Sequence, residues 1–185
     1  MPKKQKDEAQ IKLPARAHVP VVRCRVQLLG RAAPTDTPNG LLAMQKPLQE
    51  LYASYLPVES ILTVYTSGLM LQTPANDADT EELWFPIQHL MEAGALRPIG
   101  DRPATEFAPL STKEVRKTKG PSVFAFVIKR QDIPVFDCWA VECKSDKAAA
   151  ALLSSSMMAH KSPAGWASDV DRPPSTVTKK ASFLH

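Results

Sequence analysis

The side chains best suited to acid–base and metal chemistry are scattered along this sequence. The four histidines are His18, His89, His160 and His185, two of them in or near the predicted terminal tails. The sequence has no Gly-x-Ser-x-Gly nucleophile elbow, no phosphate-binding P-loop, no Gly-x-Gly-x-x-Gly turn and no His-Glu-x-x-His zinc motif. We therefore expect no enzyme, and no catalytic residue, metal site or cofactor.

The three cysteines, Cys24, Cys138 and Cys143, read as structural. Cys138 and Cys143 fall on one predicted strand, roughly 16 Å apart and on opposite faces, so they cannot pair with each other. A nucleophilic thiolate needs a neighbouring base, and the strand patterns explain all three thiols as small core residues. We expect them to be reduced.

Composition indicates one globular domain. The chain has 185 residues, 44% hydrophobic and 23% charged. Much of its basic charge lies in the tails and one loop without interleaved aromatics, a pattern that disfavours nucleic-acid binding. The opening residues, MPKKQKDEAQ, lack the apolar core of a signal peptide, and no apolar run reaches the roughly 18 residues that span a bilayer. We expect a cytoplasmic protein, with a peripheral position at the inner membrane surface as an open alternative.

Periodicity places the elements that would position a site. We predict disordered tails at residues 1–19 and 163–185 and a folded domain at 20–162, because the tails are charged or proline-broken. The first strand alternates after Val21, and a helix begins near Pro47. Two apolar runs flank Ser67-Gly68 as a hairpin.

The remaining runs predict more strands and a terminal helix. LWFPIQHLMEAGALRPI suggests two strands bent around Gln88 to Leu90, and residues 100–121 read as a loop. SVFAFVIKR and VFDCWAVEC alternate as strands, and a helix capped by Ser145 or Asp146 follows. We predict a mainly β fold with α: seven antiparallel strands in a sandwich or barrel of two near-orthogonal sheets, capped by the C-terminal helix, with an additional helix after the first strand.

These runs, in this order, resemble the phosphotyrosine-binding domain, also called PTB or PID, a branch of the pleckstrin-homology-like fold. The resemblance covers roughly Val21 to Lys161. It rests mainly on VFAFVIKR, CWAVECKS and the alanine-opened helix, and also on VQLLG, TSGLMLQ and WFPIQHLMEAGA.

The resemblance implies an intracellular adaptor or scaffold module in signalling. Such domains bind short Asn-Pro-x-Tyr-like segments in cytoplasmic tails or disordered regions of other proteins, by strand addition between the fifth strand and the C-terminal helix. Carried onto this chain, the strand residues are Leu90, Met91, Glu92, Ala93, Gly94, Ala95 and Leu96, and the helix residues are Leu152, Ser156, Met157, Ala159 and His160. We expect Gly94→Pro to abolish binding by removing an N–H donor.

Two departures from the family bear on the ligand. His160 stands where many members carry a phenylalanine that packs on the peptide. Arg97 is the one candidate near the groove for a phosphate contact, so we expect binding that does not depend on phosphate.

Two other functions remain open. The basic residues Lys113, Arg116, Lys117 and Lys119 are candidates for contact with anionic phospholipid, or belong to a solvated loop. Alternatively, the fold has a structural role in a larger assembly, and its groove is filled by the chain's own tail.

Overall fold

A computed structural model describes most of the predicted domain. Apart from Val19, the predicted tails lie outside the described residues. The described residues are 19–35, 40–74, 80–100, 105–131 and 133–162.

The chain forms eight strands and three helices over these residues, with a short 3₁₀ turn between β4 and β5. In chain order they are β1 (Pro20–Thr35), α1 (Gly40–Ser54), β2 (Val58–Tyr65), β3 (Gly68–Pro74), β4 (Thr80–Pro86), the 3₁₀ turn (Ile87–His89), β5 (Leu90–Ile99), β6 (Glu106–Pro109), α2 (Lys113–Lys117), β7 (Ser122–Lys129), β8 (Phe136–Cys143) and α3 (Asp146–Lys161).

All eight strands belong to one open antiparallel sheet, in the order β4-β3-β2-β1-β8-β7-β5-β6. The mainly β class, the helix after the first strand and the C-terminal helix are as predicted. The count of seven strands and the division into two sheets are not confirmed. The additional strand is β6, which lies in a proline-marked segment that is too short to show alternation.

β1 is long and bends so that it serves two partners. It pairs with β2 up to Leu28 and with β8 from Val26 onward, and its register with β8 shifts at Gly30. Gly30 has a φ of +125°, which favours glycine, and a Cβ there would lie 3.2 Å from Leu51 Cδ2. The bend therefore needs both the conformational freedom and the small size of glycine.

Each face of the sheet carries its own hydrophobic cluster. Phe124, Phe126 and Ile128 share one face, as their alternation predicts, and pack in the cluster beneath α3. Val123 and Ala125 point to the other face and pack in the cluster beneath α1. β7 is thus buried on both faces, and the two helices lie on opposite sides of the sheet.

The two long helices begin where local sequence allows. Ser145 caps α3, because its side chain accepts a hydrogen bond from the Ala148 N–H at 3.2 Å. α1 begins at Gly40, ahead of the start predicted near Pro47. Among the described helices, none has the length and apolarity to cross a membrane.

Candidate functional site

The outer edge of β5 is only partly paired. On its inner side β5 pairs with β7 from Leu90 to Leu96, and on its outer side it pairs with β6 from Leu96 to Ile99. The Leu110 N–H extends the outer pairing by donating to the Ala95 carbonyl at 2.9 Å. Among the described residues, none pairs with the outer side of β5 from Leu90 to Gly94. We call this stretch the open edge.

Strand geometry identifies which backbone groups the open edge offers. In an antiparallel ladder the N–H and C=O of one residue point to the same side, and successive residues alternate. The backbone N–H and C=O of Ala95 point outward, because this carbonyl accepts a hydrogen bond from the Leu110 N–H. The backbone groups of Ala93 therefore also point outward, whereas those of Gly94 point inward to Ala125 of β7. This corrects our expectation for Gly94→Pro, since the Gly94 N–H belongs to the internal ladder.

β6 is closed on its outer side by side chains of α1. The Gln45 amide donates to the Phe107 carbonyl at 2.6 Å and accepts from the Phe107 N–H at 3.0 Å. Gln49 donates to the Thr105 carbonyl at 3.0 Å. These bonds occupy groups that an exposed edge would otherwise present to another strand. Strand addition is therefore blocked along β6.

Two contacts fix the start of α1 beside the open edge. The Glu92 carboxylate accepts a hydrogen bond from the Gly40 N–H at 3.2 Å, where the helix N-terminus favours negative charge. A Cβ at Gly94 would lie 3.2 Å from both Met44 Cε and Leu96 Cδ2. Glycine at this position thus permits the close approach of α1 to β5.

A cavity of about 610 Å³ runs along the open edge, and we call it the edge groove. A volume of this order is typical of a binding site for a small ligand or part of a peptide. Residues 92–96 of β5 line it. Its other apolar lining comes from α1, the end of β6 with the segment after it, and α3: Leu41, Met44, Pro109, Leu110, Ala150 and Leu153.

Five of the seven predicted strand residues, Glu92 to Leu96, line this groove, but none of the five predicted helix residues does. Leu152 and Ser156 are 0% exposed and Ala159 is 5% exposed, so all three lie in the core beneath α3. The family resemblance assigned these residues to the wall, but they lie on the face of α3 that packs on the sheet. The wall that faces the groove is one residue further round, at Ala150 and Leu153.

The other predicted residues lie near the far end of α3 and the start of β5. Leu90 is buried, and Met91 is exposed. Met157 is half-buried against the core. His160 Nδ1 lies 3.2 Å from the Ile87 carbonyl, so this ring ties the end of α3 to the 3₁₀ turn.

Arg97 is a structural residue rather than a phosphate contact. It is 4% exposed, and its guanidinium donates to the carbonyls of Val115, at 2.9 Å, and of Thr118. It also forms an ion pair with Asp146, whose carboxylate accepts a hydrogen bond from Ser122. Its burial leaves no surface for an external phosphate, which corrects the sequence-based assignment.

The same contacts perturb the Asp146 carboxyl. The Ser122 hydroxyl, and after it the Arg97 guanidinium, lower the pKa of Asp146 below its ordinary value, against the opposing effect of burial. We call this group of residues, Arg97, Ser122 and Asp146, the clasp. It joins β5, β7 and the first turn of α3 at one end of the edge groove.

The four basic candidates for lipid contact are all exposed. Lys113 and Lys117 lie on α2 and Lys119 follows it. Arg116 is different, because its Nε donates to the Leu110 carbonyl at 3.2 Å and its side chain lines the edge groove. Lipid contact stays a prediction.

The described cysteines are free thiols. Burial, and after it the charge of Asp137, raises the pKa of Cys138 to about 12, and burial likewise raises the pKa of Cys143 to about 12. Buried thiols of this kind are poor nucleophiles. Within the described part of the chain, no group of three or more His, Cys, Asp or Glu residues is placed to hold a metal ion.

Several site residues were not found from the sequence. Leu41, Ala150 and Leu153 carry no motif, and nothing local distinguishes a helix residue facing a groove from one facing solvent. Gln45 and Gln49 have the i, i+4 spacing of one helix face, but their pairing with a strand edge is a long-range contact.

The sequence matches no family model and no curated protein. The antiparallel sheet with its C-terminal helix is compatible with a pleckstrin-homology-like fold.

Proposed function

We propose that this chain is a peptide-binding module that accepts an extended segment of another protein as an added strand on the open edge. One observation carries the proposal: the outer side of β5 lacks a partner strand among the described residues just where β5 lines the edge groove. Exposed edges invite strand pairing, and proteins ordinarily cover them. A strand edge that is left unpaired between two helices can bind one peptide in preference to others, because the helices contact its side chains.

The added strand would run antiparallel to β5. Every ladder in the described sheet is antiparallel, and β6 already pairs with the outer side of β5 from Leu96 onward. The ligand would pair with the same side of β5 and run in the same direction as β6. Its N-terminal end would lie near Leu110 and its C-terminal end near Leu90. Ladder hydrogen bonds at Ala93 would each contribute about 0.5–1.5 kcal/mol, and side chains in the groove would provide selectivity.

This mode of binding supports a phosphotyrosine-binding-type domain acting as a cytoplasmic adaptor or scaffold. Its partners would be cytoplasmic tails or disordered segments with Asn-Pro-x-Tyr-like motifs. Arg97, the one arginine of β5, is buried in the clasp and would not supply a phosphate contact. Binding that does not depend on phosphate is therefore part of this proposal, and the display screen tests it.

The test begins with a display screen of cytoplasmic-tail peptides, with and without tyrosine phosphate, against the full chain. Selected peptides are then titrated against Ala93→Pro, which removes the outward N–H, and against Ala93→Gly, which keeps it. We expect Ala93→Pro to weaken binding at least tenfold and Ala93→Gly to stay within a few-fold. Unchanged affinity of a folded Ala93→Pro protein would contradict strand addition.

A second candidate is contact with an anionic membrane, favoured by the exposure of Lys113, Lys117 and Lys119. Basic residues near such a surface contribute about 1 kcal/mol each. Sedimentation with phosphatidylserine vesicles, comparing the wild type with a variant neutralised at these positions, measures that contribution. Peptide binding should survive the neutralisation.

A structural role, with the groove filled by the chain's own tail, predicts a different result. Residues 163–185 lie outside the described part of the chain. If this tail fills the groove, a chain ending at Ser162 should bind selected peptides more tightly than the full chain. Equal affinities would show that the tail does not compete.

A further inference from the structure

The edge groove extends to both faces of β5. Ala93 and Ala95 belong to the cluster beneath α3, whereas Leu96 belongs to the cluster beneath α1. The hydrogen that replaces a side chain at Gly94 points toward Met44 of α1. The groove therefore has one helix beside each face of the strand.

A strand added here would be covered on both faces. Side chains directly opposite one another in a ladder project to the same face of the sheet. The ligand residue opposite Gly94 would face α1 and meet Leu41, and the next one, opposite Ala93, would face α3 and meet Ala150 and Leu153. A strand beside a sheet covered on only one face would instead bury every second side chain.

The polar residues of the groove are unevenly distributed. Arg116 and Lys147 line it near the Leu96 end, and both are exposed. The neighbouring Asp146 carboxylate is already paired with Arg97. That end therefore presents net positive charge to a ligand.

We infer that the ligand is an extended peptide with two adjacent apolar residues, one for each helix wall, preceded by an acidic residue. The inference rests on the proposed strand addition and adds to it a ligand chemistry and a role for α1. In an antiparallel ligand the N-terminal side reaches Arg116 and Lys147, which places the acidic residue before the apolar pair.

The chain supplies a matched control for each wall. Leu41 lines the groove, whereas its neighbour Leu42 is 86% exposed and lies outside it. On α3, Leu153 lines the groove, and Met158 is 70% exposed and lies outside it. The two members of each pair are apolar residues on the same helix.

The experiment is a random-peptide selection on the full chain, carried out with wild type, Leu41→Lys, Leu42→Lys, Leu153→Lys and Met158→Lys. Wild type should enrich two consecutive apolar positions after an acidic one. Leu41→Lys should lose the apolar preference at one of them, and Leu153→Lys at the other. Each should weaken a wild-type-selected peptide about tenfold or more. Leu42→Lys and Met158→Lys should stay within about twofold. Circular dichroism checks folding, and Leu41→Ala replaces Leu41→Lys if the latter is unfolded.

The outcomes separate this inference from the proposed function. Unchanged selection by folded Leu41→Lys, with binding still lost in Ala93→Pro, overturns the second wall and leaves strand addition standing. Enrichment of apolar residues only at every second position does the same. Lack of an acidic preference overturns the charged part of the inference. If wild type selects no peptide, the proposed function fails, and this inference fails with it.

Discussion

The outer side of β5 is built differently on either side of Leu96. From Leu96 to Ile99 it is covered by β6, whose own outer groups bond to Gln45 and Gln49. From Leu90 to Gly94 no described residue pairs with it, although α1 and α3 flank it. The same helix thus protects one half of the edge and leaves the other accessible. Protection of this kind is how proteins avoid unwanted strand pairing, so the unprotected half is the better candidate for a function.

The clasp marks the boundary between the two halves. Arg97 follows Leu96 and connects β5 to the carbonyls after β6 and to Asp146 at the start of α3. It holds α3 beside the open edge and α2 beside the closed one. Changes at the clasp, at the open half and at the closed half should therefore have separable effects.

The largest expected effect is a difference in stability between a proline on the inner side of β5, at Gly94, and a proline on its outer side, at Ala93. Gly94→Pro removes an N–H from the ladder with β7 and adds atoms against Met44, so we expect a loss of about 3 kcal/mol in the free energy of unfolding. Ala93→Pro removes an outward N–H and should cost about 1 kcal/mol or less. Urea denaturation of both variants measures the difference. Equal losses would contradict the alternation assigned to β5.

Removing Gln45 should expose the outer backbone groups of β6, at Phe107. Gln45→Ala leaves the N–H and C=O of buried Phe107 without their partners, and we expect a destabilisation of about 1–3 kcal/mol. Gln49→Ala loses one bond, to Thr105, and should cost about 1 kcal/mol. Urea denaturation measures both losses.

Removing Gln45 should also change how the protein associates. The uncovered β6 edge of Gln45→Ala should promote self-association at high concentration, which light scattering detects. Gln49→Ala, which leaves both bonds to Phe107 in place, is the control. A Gln45→Ala protein as stable and as monomeric as Gln49→Ala would contradict edge protection by α1.

Local patterns predicted what local interactions decide. The alternation of Phe124, Phe126 and Ile128 and the cap at Ser145 are present because strand faces and helix caps depend on residues a few positions apart. β6 was missed because its pairing depends on β5 and on the glutamines of α1. The structural role of Arg97 was missed because its partners, Val115 and Asp146, are distant from it in sequence.

The candidate site shows the same division. Residues 92–96 were found through the family resemblance, and they line the edge groove. The helix wall carried over from the same resemblance was displaced by one residue, because the carried-over residues lie on the buried face of α3 and not on the face beside the edge. Leu41 was missed, since its proximity to β5 depends on Glu92 and Gly94.

A smaller effect should follow from loosening α1 over the open half. Glu92→Gln keeps an acceptor for the Gly40 N–H but removes the charge at the helix N-terminus, with an expected loss of about 0.5 kcal/mol. Hydrogen exchange of the amides at Gly40 and Leu41 should become faster. Glu50→Gln, an exposed change on the same helix, is the control. Unchanged exchange in Glu92→Gln would show that Glu92 does not anchor α1.

The smallest effect should come from titrating the clasp, because the Asp146 side chain is 48% exposed and solvent screens its interactions. Its pKa is lowered in the folded state, so its ionised form adds stability that is complete above the unfolded pKa of about 3.9. That stability is lost as pH falls through the lower folded pKa. The difference in melting temperature between wild type and Asp146→Asn should thus be present at pH 7 and shrink below about pH 4.

Ser122→Ala should bring the pKa of Asp146 closer to its ordinary value, which carboxyl-carbon NMR measures, and Glu114→Gln controls for general charge. Melting temperatures of wild type and Asp146→Asn that differ equally at every pH would show that the clasp carboxylate is not stabilised by Ser122 and Arg97.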